Sequence, residues 1–400
     1  MISAVEAMRY LASGKGVFDS ICDLIIRPPR AEYDPETDLG PSLFRISNDS
    51  EVFTRTDLTL TDMRGMDVRC SWFHPTAARS QPCVVYLHGN CGSRFDALEA
   101  LFLLQRDFSL FAFDATGSGL SDGEFISLGF YERQDLAAVV DFLHGQKTVD
   151  GIGLWGRSMG AVTSIMYAAK DPSIKCIVCD APFSTLRLLI KDLVKRNVSK
   201  RFPMKLVDSI VDRIRKRITK RAAFDIDDLD ALKYASECVV PAFIFHGESD
   251  NFVLPRHSIA VSNTFKGPCL HHLVSGGHND ERGEDVREVI AQFLTLYLVY
   301  KPQGERDLKA GPQPVFIKRI QTEAAATKEA EEPSTLSGRE NATAAPEDDD
   351  EDDGDSFIDQ TNLSLLSPIR FMQPPLFAAS SLPTSASEET TPEGTQNASA

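Results

Sequence analysis

Long apolar runs are missing from this 400-residue chain. No stretch approaches the roughly 20 consecutive apolar residues that a bilayer-spanning helix requires. The opening segment MISAVEAMRYLASGKG lacks a basic stretch followed by an apolar one, so no secretory signal is read there. Ile2 argues against N-myristoylation, and the last residues carry no prenylation motif. The expected compartment is therefore cytoplasmic, and the five N-x-S/T sequons, at Asn48, Asn197, Asn341, Asn362 and Asn397, are expected to be fortuitous. Clustered metal ligands and H-E-x-x-H are also lacking, so neither metal nor organic cofactor is expected. The eight cysteines are scattered. Cys176 and Cys179 have C-x-x-C spacing, but KCIVCDAP reads as a buried strand on which residues three apart face opposite ways, suiting neither a redox pair nor a metal clamp.

An excess of positive charge is missing as well. The net charge is −16, but from residue 301 onward there are 8 Lys and Arg against 19 Asp and Glu, leaving 34 against 39 in residues 1–300. That balance excludes the basic footprint of a nucleic-acid-binding protein. The acidic stretch from 301 to 400 is of low complexity and then rich in Ser, Thr and Pro, so it cannot bury enough apolar area to order itself. It is expected to be a disordered tail, with one candidate docking element at LSLLSPIRFMQPPLF (363–377) that could meet a protein partner.

What is present in the first 300 residues alternates. Residues 1–45 read as a helical lead-in stopped by Pro28 and Pro29. Two β-rich runs, EVFTRTDLTL and MDVRCSWFHP, flank TDMRG, whose Gly65 suits a turn. Short apolar runs then alternate with helix-length segments: CVVYLHG (83–89), SLFAFD (109–114), GIGLWG (151–156), CIVCDA (176–181), PAFIFHG (241–247) and LHHLVSGG (270–277). Strands apolar on both faces and separated by helices predict an α/β domain over 46–300, with a mostly parallel sheet flanked by helices. The interval 183–235 breaks the alternation. It is helical and basic, with thirteen Lys and Arg against three Asp over 187–221, and Val207, Ile210, Val211, Ile214 and Ile218 recur at helical spacing. It reads as an inserted helical cap.

The chemistry concentrates at strand ends. In GIGLWGRSMGAVTS an apolar strand runs directly into a helix, and Ser158 stands between Gly156 and Gly160. A turn that sharp lifts the hydroxyl above the sheet edge, and a β-carbon at either glycine would strike the neighbouring strand or helix. The new helix points its positive end at the site. A serine hydroxyl needs a base, and the base an orienting acid. Asp250 follows the strand in FIFHGESDNFVLP, and His278 follows the last strand in LVSGGHND; the order serine, acid, histidine is the one this turn calls for. Glu248 is the alternative acid, and Asp280 a weaker one. An oxyanion needs backbone N–H donors. Met159 supplies one, and Asn90 in VVYLHGNCGSR supplies the other, with Gly89 allowing the turn and His88 holding the loop. Singly, each of these residues has a bland structural explanation; jointly they require several coincidences. Gly117 and Gly119 stop short of a dinucleotide fingerprint, because Asp122 stands where the next glycine belongs.

These residues resemble the α/β-hydrolase superfamily, nearest to serine-aminopeptidase-like and lysophospholipase-like uncharacterised hydrolases of plants and protists. The resemblance runs from IIRPPRAEYDP (25–35) to about residue 300 and rests on HGNCGSR, FDATGSGLSDGEFISLG, IGLWGRSMGAVTS, HGESDNFV and GGHND. It implies Ser158 as nucleophile, Asp250 as acid, His278 as base, and the N–H groups of Asn90 and Met159 as the oxyanion hole. Thr116 departs from the pattern, since many relatives have arginine there, and the change is expected to bear on substrate preference. The implied activity is hydrolysis of an acyl ester or thioester, on a small molecule, a lipid or an acylated protein. Two alternatives stay open: a serine peptidase or aminopeptidase, and a non-enzymatic scaffold using the acidic tail. The basic cap leaves two readings, a solvated cover packed over the pocket or a peripheral contact with anionic membrane head groups.

Overall fold

The computed structural model describes residues 17–299 except 49 and 198–202. The acidic stretch from 301, its docking segment 363–377 and the first sixteen residues lie outside the described residues.

Chain order begins with α1 (Val17–Ile26), which ends two residues before Pro28; no further helix occurs in the lead-in among the described residues. A minimal strand β1 (Leu43–Phe44) precedes a long hairpin, β2 (Phe53–Thr61) and β3 (Asp67–Pro75). Its turn has Gly65 at φ 78°, a region glycine occupies without steric cost. Then come β4 (Gln81–Leu87), a 3₁₀ segment (Arg94–Arg106), β5 (Ser109–Phe113), α2 (Glu132–His144), β6 (Val149–Arg157), α3 (Met159–Ala168) and β7 (Ile174–Asp180). The cap follows as α4 (Leu186–Asn197), α5 (Met204–Ala222) and the short α6 (Ala231–Ala235). The chain closes with β8 (Ala242–Gly247), α7 (Arg256–Thr264), β9 (Cys269–Val274) and α8 (Glu284–Leu294).

The nine strands form one sheet in the order β1-β2-β3-β5-β4-β6-β7-β8-β9. Pairing is antiparallel from β1 to β5 and parallel from there to β9. The apolar runs are continuous because the sheet is covered on both faces. Every residue of β4 is buried; Cys83, Val85 and Leu87 face one core layer, and Val84 and Tyr86 the other. Cys176 and Cys179 likewise enter opposite layers, and all eight cysteines are free. Burial pushes their thiols up, Cys22 to about 11, so they behave as small apolar side chains.

Between β7 and β8, α5 turns Val207, Val211, Ile214 and Ile218 inward, with Ile210 half-buried beside them. Its neighbour is α1, joined through Arg217 to Asp19 at 2.8 Å and Arg221 to Asp23. Arg187 pairs with Asp227 at 2.5 Å and Asp212 at 2.8 Å, Arg215 with Asp225 at 2.5 Å, and Lys191 with Asp208. A good part of the basic excess is thus matched by acids of the cap and of α1. No helix among the described residues is long and apolar enough to cross a membrane.

Ile214 is wholly buried in the cap core, whereas Leu206 is 42% exposed. Ile214→Ala is expected to cost about 2–5 kcal/mol by leaving a cavity, and Leu206→Ala to stay within about 0.5 kcal/mol of the parent; urea-unfolding midpoints measure both.

Candidate active site

Ser158 follows the last residue of β6 and caps α3 with φ 51° and ψ −108°, a conformation that costs a non-glycine residue strain. Close packing around the turn leaves little alternative. A Cβ on Gly160 would lie 2.1 Å from the Leu87 carbonyl oxygen of β4, and one on Gly156 would lie 2.2 Å from the Gly160 carbonyl oxygen. The Ser158 N–H donates to the Asp180 carbonyl at the end of β7, 2.7 Å away.

Two loops beyond β8 and β9 converge on that serine. The Ser158 hydroxyl lies 3.1 Å from His278 Nε2, and His278 Nδ1 lies 2.6 Å from Asp250 Oδ2. The network assigns Nδ1–H as donor to the carboxylate, leaving Nε2 to accept the serine proton. Asp250 is buried, and its Oδ1 accepts the N–H groups of Phe252 at 2.8 Å and Val253 at 3.0 Å. Burial raises its pKa, but the hydrogen bonds from His246 and His278 outweigh that and hold the carboxyl well below the usual carboxylate range. Ser158 is 8% exposed, and the Phe252 ring packs 5.0 Å from the His278 ring. The alternative acids stand apart from this relay: Glu248 is exposed, and Asp280 accepts from the Gly277 N–H at 2.7 Å.

The upstream loop is close. A Cβ on Gly89 would stand 3.8 Å from Ser158 Cβ, so the segment carrying Asn90 passes directly by the nucleophile turn. His88 gives both ring nitrogens to the backbone, Nδ1 donating to the Gly89 carbonyl at 2.7 Å and Nε2 accepting the Ala115 N–H at 3.0 Å. Met159 opens α3, where the first N–H groups have no partner within the helix.

The structure adds residues that the motifs do not announce. Arg157, the middle residue before the serine, donates from Nη2 to the carbonyls of His278 at 3.0 Å and Asp280 at 3.1 Å. Arg282 makes a buried two-point contact with Asp180 at 2.9 and 2.8 Å and donates to the Gly277 carbonyl at 3.0 Å. His246 reaches Asp250 from β8. For Arg157 and His246 the only signal available beforehand is position at a strand end that carries a motif residue; Arg282, eight residues past β9, has none.

A second serine, histidine and aspartate also meet, away from the turn. Ser184 Oγ lies 2.8 Å from His257 Nδ1, and His257 Nε2 lies 3.1 Å from Asp192 Oδ2. Ser184 is 1% exposed, so no substrate carbonyl can reach it; the set ties α4 to α7, with Arg256 also on Asp192.

Thr116 is held within the framework. It is buried and donates to Asp135 through its N–H at 2.8 Å and its hydroxyl at 2.9 Å, while Arg64 Nη2 bonds both Thr116 Oγ1 at 2.7 Å and Asp135 at 2.5 Å. A guanidinium therefore arrives from the β2–β3 turn instead of from position 116. At this position the threonine is part of a buried hydrogen-bonded set with Asp135 and Arg64. Among the described residues no group of three His, Cys, Asp or Glu is placed to hold a metal ion.

The family described as serine aminopeptidase, S33, matches residues 78–232. The chain is similar to the uncharacterized protein YqkD of Bacillus subtilis, 24% identical over 65% of this chain and 84% of that one. It is likewise similar to the putative alpha/beta hydrolase L404 of Acanthamoeba polyphaga mimivirus, 26% identical over 62% of this chain and 86% of the other. Among solved structures, the Pyrococcus furiosus esterase Pf2001 superposes with a TM-score of 0.53 at 22% identity, covering 68% of this chain and 98% of the esterase. With a mostly parallel sheet, a sharp strand-to-helix turn at Ser158 after β6 and the Asp250 and His278 loops after β8 and β9, the chain has the α/β-hydrolase fold, and its segment 78–232 is similar to the serine aminopeptidase family of hydrolases.

Proposed function

We propose that the chain hydrolyses an acyl ester or thioester through an acyl-enzyme on Ser158. The observation that carries this reading is the unbroken relay from the Ser158 hydroxyl through His278 to Asp250, with contacts of 3.1 and 2.6 Å, set on a strained strand-to-helix turn. His278 Nε2 takes the hydroxyl proton as Ser158 Oγ bonds to the substrate carbonyl carbon. Asp250, already ionised, stabilises the imidazolium. The N–H groups of Asn90 and Met159 receive the oxyanion. Collapse of the tetrahedral adduct breaks the ester or thioester bond, and His278 returns the proton to the departing alcohol or thiol. Water activated by His278 then cleaves the acyl-enzyme, releasing the acid and restoring the hydroxyl. No metal or cofactor enters these steps.

A groove supports an acyl chain as the bound portion. It encloses about 300 Å³ between α4 and the acid loop, and its walls include Leu193, Phe252 and Leu254. Phe252 touches both this groove and the His278 ring, so a chain lying there would reach toward the nucleophile. The charged lining argues against an aminopeptidase. Lys195, Arg196 and Arg256 contribute three cations, while the one acid, Asp192, is already held by Arg256 and His257. A free substrate ammonium would find repulsion there. The completeness of the relay argues against a purely non-enzymatic scaffold.

Ser158→Ala is expected to abolish labelling by a fluorophosphonate and to lower p-nitrophenyl ester turnover by about 10⁶-fold; undiminished labelling overturns the assignment. Asp250→Asn should lower kcat by about 10⁴-fold, since the base loses the tautomer it needs, whereas Glu248→Gln should leave kcat unchanged. In steady-state assays, p-nitrophenyl esters of medium chain length should outperform acetate, with no release from aminoacyl p-nitroanilides. A preference for the anilides would replace the ester reading with a peptidase.

A further inference from the structure

Among the described residues, the side chain of His246 bonds the Asp250 carboxylate directly. His246, fully buried near the end of β8, places Nε2 3.0 Å from Asp250 Oδ2 and 2.8 Å from the Val253 carbonyl oxygen. Two acceptors face a single ring nitrogen, so the hydrogen sits on Nε2 and is shared between them. The other nitrogen, Nδ1, is buried and without a hydrogen-bond partner. A proton there would bury a donor with nothing to receive it, which reinforces the same tautomer.

The consequence falls on one oxygen. Asp250 Oδ2 accepts from two imidazoles, His278 Nδ1 at 2.6 Å and His246 Nε2 at 3.0 Å, while Oδ1 is taken by two backbone N–H groups of the acid loop. The backbone donors alone leave Oδ2 constrained only by the histidine it is meant to orient. The donor from β8 fixes that oxygen from a rigid strand, independently of the more exposed loop that carries His278. The bond to Val253, in contrast, closes the acid loop onto the strand and would serve packing alone.

We propose that His246 is a positioning residue for the relay: its Nε2–H holds Asp250 Oδ2 where it can receive the Nδ1–H of His278. The inference rests on the role given above to Ser158, His278 and Asp250. Without the Nε2–H the carboxylate is freer to turn about its Cβ–Cγ bond, and the short contact to His278 lengthens. The loss reaches chemistry through the base and leaves substrate contacts alone.

The test compares His246→Leu, which removes the donor at similar volume, with His246→Gln, whose amide N–H can donate from a similar reach. Three quantities are followed: kcat and KM on a p-nitrophenyl ester, the rate at which a fluorophosphonate modifies Ser158, and the downfield proton resonance of His278 Nδ1–H. His246→Leu should lower kcat and the modification rate about 10- to 100-fold with KM little changed, and should weaken or shift the resonance. His246→Gln should restore most of all three. Equal impairment in both variants, tracking a common fall in melting temperature, assigns His246 to packing and overturns the proposal. An unchanged resonance and rate in His246→Leu overturns it too. Should the parent protein turn over no ester, the substrate reading fails, while the resonance and the fluorophosphonate rate still decide the role of His246.

Discussion

The close approach of α3 to β4 sets the geometry of everything above the sheet. The Gly160 Cα lies against the Leu87 carbonyl so tightly that a Cβ would stand 2.1 Å from that oxygen. A helix that starts this near the neighbouring strand has no length of chain in which to turn gradually, so Ser158 takes the whole change of direction at φ 51°. The strain is held by packing, because β6 lies between β4 and β7 and the Ser158 N–H is bonded to the Asp180 carbonyl of the latter. The same geometry delivers two benefits at once: an outward hydroxyl, and a helix N-terminus whose N–H groups lie beside it. Ligands of open parallel sheets gather at the carboxyl ends of strands for this reason.

Asp180 carries the second layer of this arrangement. Its backbone carbonyl holds the serine turn, and its carboxylate takes both arms of Arg282, which also grips the Gly277 carbonyl of the histidine loop. Both members of the Asp180–Arg282 pair are about 2% exposed at the side chain. Charges that deep are tolerable only together, and removing one partner alone typically costs about 3–5 kcal/mol. Arg157 acts in parallel, with its guanidinium on the His278 and Asp280 carbonyls and its own backbone adjoining the nucleophile. The His278 loop is therefore held relative to the Ser158 turn by the buried Arg282 and the half-buried Arg157, neither of which bonds the imidazole.

The elements legible in the sequence were those with short-range signals. Six apolar runs, two glycines around one serine, and an acid and a histidine after later strands are all local patterns, and the strand order brings their ends to one edge. The cap stripe from Val207 to Ile218 was equally plain from its spacing, although the partner it packs on, α1, was not. Long-range polar pairing left no such trace. Nothing in DMRGM indicates that Arg64 will reach Thr116 and Asp135, 52 and 71 residues on. Asp180 and His246 were read only as parts of strands, and Arg282 carried no signal, because their roles depend on partners distant in the chain or, for His246, on the fold of the acid loop.

Charge in the cap follows the same logic of pairing. A basic helical insertion suggests an anion-seeking surface, yet Arg187, Lys191, Arg215, Arg217 and Arg221 all find aspartates within the cap or on α1. Exposed pairs of this kind contribute little stability each, but they consume the positive field that a diffuse attraction would need. Lys195, Arg196, Lys205, Arg213, Lys216 and Lys220 make no ion pair among the described residues, and the first two line the groove beside Phe252. Neutralisation is therefore partial, and the unpaired cations are spread along both cap helices, two of them at the groove beside Phe252.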